Sequence, residues 1–204
     1  RNAQYFEVWN EPQIEFWKGS FEEYVTLLND FYQFGKPLAP HMKILCAALD
    51  NDSHPRGKKD FSRKLISHLK GRCDMASFHH HGNVEQYTQV NRLLLQRLKA
   101  ANIAFRLGNC EAGFRAGYTP DSIRQQAEMV VKKLIAAKAL GNEFFLYFML
   151  QDYWDMDRNA DDSFGLVTSD NRPKPSFVAY NELIRQLANT RVEKKHPAPG
   201  IGAP

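Results

Sequence analysis

Apolar positions along the chain gather into short runs separated by longer amphipathic stretches. The runs cover residues 4–9, 43–49, 75–78, 103–107 and 143–150. They are rich in β-branched and aromatic residues and do not alternate, as strands of a helix-covered parallel sheet do. Helix signals fall between them. Ser20-Phe21-Glu22-Glu23 is a capping box that opens a helix to about residue 34, with Gly35 as its stop. Residues 61–69 predict a short helix ended by Gly71, and residues 84–100 carry Leu93, Leu94, Leu95 and Leu98 on an apolar stripe. Thr119 as N-cap and Pro120 at the first helical position start a helix to residue 140, ahead of Gly141. Pro175 opens a last helix to about residue 187.

Five strand–helix units in series predict an α/β fold with a parallel sheet and right-handed crossovers. Two architectures fit: an open doubly wound sheet, or a segment of a (β/α)8 TIM barrel. No GxGxxG follows a strand, so the nucleotide-binding form of the open sheet lacks its fingerprint. The barrel reading makes residues 1–190 a partial TIM-barrel catalytic domain and residues 191–204, rich in Pro and Gly, a flexible tail.

Composition narrows the function classes. With 204 residues, 43% hydrophobic and 25% charged, the chain can bury a sizeable core. The formal net charge is only +4 and its basic residues are scattered, as at Lys58-Lys59 and Lys132-Lys133, so no nucleic-acid or membrane-surface partner is expected. The longest apolar run, Phe144 to Leu150, is strand-sized and too short to span a bilayer. The chain begins at Arg1, without Met and at the entrance to a strand, and the expectation is that its natural start lies upstream. Cys46, Cys73 and Cys110 are an odd set without CxxC spacing, which supports neither a disulfide framework nor a zinc site and leaves the compartment open.

Two carboxylates stand at strand ends. The first run closes in Tyr5-Phe6-Glu7-Val8-Trp9-Asn10-Glu11-Pro12, and the fourth leads into Leu107-Gly108-Asn109-Cys110-Glu111. In a barrel the C-terminal ends of strands form the mouth where active sites lie. Taken alone, Asn-Glu-Pro is a turn and Glu111 is an ion-pair partner for Arg106 or Arg115; taken together, they are a carboxylate pair suited to glycoside hydrolysis. Phe6-Glu7-Val8-Trp9-Asn10-Glu11-Pro12 resembles the strand-4 signature of glycoside hydrolase clan A, in the style of family 39 and, more broadly, family 5. The resemblance implies that this chain holds strands 4 to 8 of the barrel, with strands 1 to 3 upstream. It also implies that Glu11 is the general acid/base, Asn10 and Trp9 touch substrate, and Glu111 is the nucleophile.

Ser77-Phe78-His79-His80-His81-Gly82 is similar to the clan's strand-6 segment, with His79 in the clan's His position and His81 where a Tyr usually bonds the nucleophile. Alternation along a strand lets His79 and His81 converge while His80 points away, too few ligands for a metal site. Residues 145–154 resemble the clan's strand 8, where Trp154, or Tyr153, would stack on a sugar ring, while Phe144, Phe145 and Phe148 read as core. Asp152, Asp155, Asp157, Asp161 and Asp162 lack the EF-hand spacing, and Lys174-Pro175 introduces the last helix. Cys110 reads as packing, and Phe16 and Trp17 either line the cleft or staple the next helix.

The expected reaction is hydrolysis of a β-glycosidic bond with retained stereochemistry, without a cofactor, with Glu11 keeping a raised pKa and Glu111 ionised. The alternative is a non-catalytic carbohydrate-binding or fragmentary relative. The expected partner is a carbohydrate, with possible self-association through exposed sheet edges, and the resemblance favours a secreted or periplasmic setting.

Overall fold

The computed structural model describes residues 3–117, 119–153 and 163–193. Trp154, Asp155, Asp157, Asp161 and Asp162 and the tail from residue 194 lie outside them. Five strands form one parallel sheet in sequential order: β1 (Tyr5–Glu7), β2 (Lys43–Leu49), β3 (Met75–His79), β4 (Leu107–Ala112) and β5 (Phe145–Tyr147). A doubly wound sheet would reverse its strand order; this one does not. Its concave side is closed by side chains from opposite edges. Tyr5 on β1 donates to Glu143 beside β5 at 3.3 Å and packs on Phe144 at 4.8 Å. Lys43 and Arg106 also bond Glu143, each at 2.9 Å. The sheet is therefore a half-barrel, and this cluster closes its N-terminal end.

The helices lie outside. They are α1 (Phe21–Asp30), α2 (Lys36–Leu38), α3 (Phe61–Ile66), α4 (Val84–Ala100), α5 (Pro120–Leu140) and α6 (Pro175–Leu187). The Ser20 capping box, the Thr119 cap and the left-handed Gly141 stop form as the sequence predicts. The core lies between sheet and helices, where Tyr24, Leu28, Ile44, Phe78, Leu94 and Leu98 are buried. Gly35 does not stop the first helix. A π-helical turn, Phe31–Gly35, carries the chain into α2, held because Phe31 stacks on Phe6 at 4.6 Å and Lys36 bonds Asp74 at 2.7 Å. The fourth strand also differs from its apolar run: residues 103–106 are a lead-in, and Glu111 lies within β4 rather than beyond it. Among the described residues no helix is long and apolar enough to cross a membrane.

Candidate active site

Glu11 sits in the loop after β1, where the backbone turns sharply: Trp9 and Glu11 both adopt left-handed conformations, with φ of 72° and 40°. Such residues persist only where their surroundings hold them and they gather at functional sites. Glu111 is placed by pairing instead. β3 and β4 run in register to Phe78, then shift so that His79 stands opposite Glu111. A bulge of this kind re-aims a side chain at the end of a ladder.

His79 joins the two carboxylates. Its Nδ1 lies 3.0 Å from Glu11 Oε1 and 3.7 Å from Glu111 Oε2, and its Nε2 faces Glu7 Oε2 at 3.6 Å, an ion-pair distance too long for a hydrogen bond. Ser77 donates to the other Glu7 oxygen. His81, in the position of the usual Tyr, brings its Nε2 to 2.9 Å from Glu111 Oε1. Phe148 and Phe164 flank the His81 ring at 5.2 and 5.1 Å and line the cleft, so Phe148 is a wall of the site rather than core. Gly113 makes this possible: a Cβ there would stand 2.8 Å from His81 Nδ1 and 2.6 Å from the Phe148 carbonyl oxygen. His80 turns aside onto Tyr87 at a ring distance of 5.9 Å.

Charge distribution corrects one expectation. Burial alone pulls the His79 imidazole down, but the hydrogen bond to Glu11, the Glu7 carboxylate and the charge of Glu111 raise it to about 9. His79 is thus a cation at neutral pH. Burial pushes the Glu11 carboxyl up, yet the hydrogen bond and charge of His79, with His81 and His54 adding, leave it below its ordinary value. Glu11 is therefore ionised, not held protonated by burial, because a charged imidazole touches it. Burial drives the Cys110 thiol strongly upward, so it remains a neutral packing group.

Glu11, His79 and Glu111 offer three ligand atoms within 4.8 Å of one another, the one group of donors among the described residues close enough to hold a metal ion. His79 Nδ1 reaches hydrogen-bond distance of Glu11 alone, at 3.0 Å, while Glu111 at 3.7 Å feels its charge.

The cleft above it has a volume of about 1020 Å³ and is walled by Gln13, Phe16, His54, Gln89 and Phe164 among others. Asn10 and Trp9 are not among its lining residues. Asn10 is exposed, and Trp9 turns outward, donating to the Phe16 carbonyl at 3.1 Å and meeting Trp17 edge-on at 5.3 Å. The left-handed turn at Trp9 directs that ring along the loop. The pair staples the loop, and Phe16 lines the cleft. Tyr153 is exposed and lies outside the cleft lining. Arg106 bonds Glu143, not Glu111. Asp152 is structural, in a buried pair with Lys174 at 2.5 Å. Glu7 is the site residue the sequence reading did not assign; its inward position two residues after Tyr5 on a strand was the available signal.

No protein-family model and no curated protein matches the sequence. Solved structures do match. A family 39 glycoside hydrolase from Bacteroides cellulosilyticus WH2 aligns with a TM-score of 0.69 and 17% identity, over 92% of this chain and 42% of that one. The fold is that of part of the barrel found in these glycoside hydrolases. A xylanase from Cellvibrio japonicus gives a TM-score of 0.64 at 12% identity, over 89% of this chain and 65% of its own. A GH2 beta-galacturonidase from Eisenbergiella tayi gives 0.63 at 16%, over 95% and 34%. This chain spans less than two thirds of the length of each of these glycosidases, in a half-barrel of five parallel strands.

Proposed function

We propose that this chain carries the carboxylate centre of a retaining β-glycosidase. One observation supports the reading above the others. Oxygens of Glu11 and Glu111 lie within 4.8 Å of one another at the mouth of the half-barrel. Retaining enzymes hold their two carboxyl groups about 5–5.5 Å apart, and a pair whose oxygens approach this closely suits direct attack by one carboxylate.

In this reading Glu111 attacks the anomeric carbon while His81 orients its carboxylate through the 2.9 Å contact. The leaving oxygen takes a proton from Glu11, and the His79–Glu11 pair holds that proton in the free site. Substrate binding displaces water and brings the proton onto Glu11, where it can be transferred. Once Glu111 is an ester it no longer carries charge, and Glu11, returned to its ionised form, activates the water that releases the sugar. No step requires a cofactor.

The test is proton NMR of hydrolysis of an aryl β-glycoside. The first-formed sugar has the β configuration if the mechanism holds; an α-anomer appearing first overturns it. A second reading, carbohydrate binding without turnover, is favoured by the resting ionisation of Glu11 and by β1 and β5 each pairing, among the described residues, on one side only. Saturable glycoside binding with no released sugar would select it.

A further inference from the structure

Lys133 lies in the middle of α5 and is fully buried, with 0% of its surface exposed. Among the described residues it forms no salt bridge. Its Nζ donates to two main-chain carbonyls, Gly113 O at 2.8 Å and His80 O at 3.1 Å, and stands 5.8 Å over the Tyr87 ring. Those carbonyls belong to the residue after His79 and the second residue after Glu111. They also sit where the β3–β4 pairing runs on past β3: His80 N–H bonds Glu111 O at 2.9 Å, and Gly82 N–H bonds Gly113 O at 3.2 Å.

Burying an ammonium without a carboxylate is unfavourable, and an apolar side chain would fill the same space without that penalty. What lysine supplies there is a pair of N–H hydrogen bonds, which amine and ammonium can both make, directed from a 21-residue helix onto two adjacent strand ends. We propose that Lys133 is a positioning residue for the carboxylate centre: its Nζ staples the ends of β3 and β4 and so fixes His79 and His81 against Glu111. It touches no substrate. It acts through the backbone on which the three site residues stand, and it deepens the glycosidase reading on which its kinetic consequence rests. Burial first, and the charge of Lys133 when protonated, hold the neighbouring His80 imidazole down at about 4, so His80 stays neutral beside the clamp.

The test uses the full chain with Lys133→Met and Lys133→Gln, the latter keeping N–H donors. For Lys133→Met the His80 and Gly82 amides exchange with solvent about tenfold faster while β2 amides are unchanged, reporting local release. For an aryl β-glycoside, kcat falls roughly 10- to 100-fold with KM nearly constant, the signature of lost alignment rather than lost binding. Lys133→Gln recovers part of both, and it carries the measurement if the methionine variant does not fold. Unchanged exchange at His80 and Gly82 overturns the clamp; faster exchange with unchanged kcat overturns its positioning role. If the unsubstituted chain shows no hydrolysis, the glycosidase reading fails separately. The clamp is then judged by exchange and by the 15N shift of His81, and an unaltered shift in Lys133→Met overturns it.

Discussion

His79 Nδ1 stands 3.0 Å from Glu11 Oε1, and one protonated imidazole thereby sets the charge of the proposed acid/base. The pair holds a proton until His79 titrates, at about 9. Activity should therefore fall on the alkaline side as pH passes about 9. Replacing His79 with Asn leaves the proton to Glu11 alone, and the alkaline limb of kcat/KM moves down toward the carboxylate range. A limb that stays near its original pH in His79→Asn would contradict the coupling.

The same shift has a consequence for stability. His79 titrates at about 9 in the fold against an ordinary 6.5, so its stabilising contribution is complete below pH 6.5 and is lost as pH rises through 9. The ceiling is about 3 kcal/mol, shared among three carboxylates. Lys133 works in the opposite sense: burial lowers it to about 7 from 10.5, so the fold gains stability as pH rises between those values. Melting temperatures of the unsubstituted chain alone would blend the two. The difference between it and His79→Gln isolates His79, and that difference should shrink between pH 6.5 and 9.

Gly113 is placed against His81, Phe148 and Phe164 with no room for a methyl group. Gly113→Ala should displace His81 from Glu111 and lower kcat by about tenfold or more while the fold persists. Steady-state kinetics alongside circular dichroism checks this. An unchanged kcat would show that the His81–Glu111 contact is dispensable.

The buried Lys174–Asp152 pair anchors α6 to the segment after β5, with Asp152 also accepting from Gly165 N–H at 2.6 Å. Lys174→Met leaves a buried carboxylate without its cation and should cost about 3–5 kcal/mol in urea unfolding. Adding Asp152→Asn should return much of that loss. A single substitution that leaves the midpoint unchanged would contradict the burial of the pair.

Much of this arrangement was legible in the chain. The Ser20 and Thr119 caps and the Gly141 stop are local chemistry, and each formed where the sequence placed it. Glu111 was recognisable from what flanks it, although β4 lies further along than its apolar run because inward positions such as Asn109 and Glu111 are polar and hide the strand. Asn10 and Trp9 were expected at the substrate, but two left-handed residues in one loop cannot be read from composition, and they turn Trp9 toward Trp17. Lys133 gave no signal, since a lysine beside Lys132 on an amphipathic helix reads as solvated and only tertiary packing buries it. The ionisation of Glu11 was likewise invisible, because it depends on His79, 68 residues away along the chain.

The most direct test of the carboxylate centre is trapping with an activated 2-deoxy-2-fluoro aryl β-glycoside, followed by peptide mapping by mass spectrometry. The fluorine slows both steps, and the good leaving group lets the first outrun the second. The account predicts one sugar per chain, esterified to Glu111, with labelling abolished in Glu111→Gln. A label on any other residue, or turnover of β-glycosides with no covalent species formed, would contradict it.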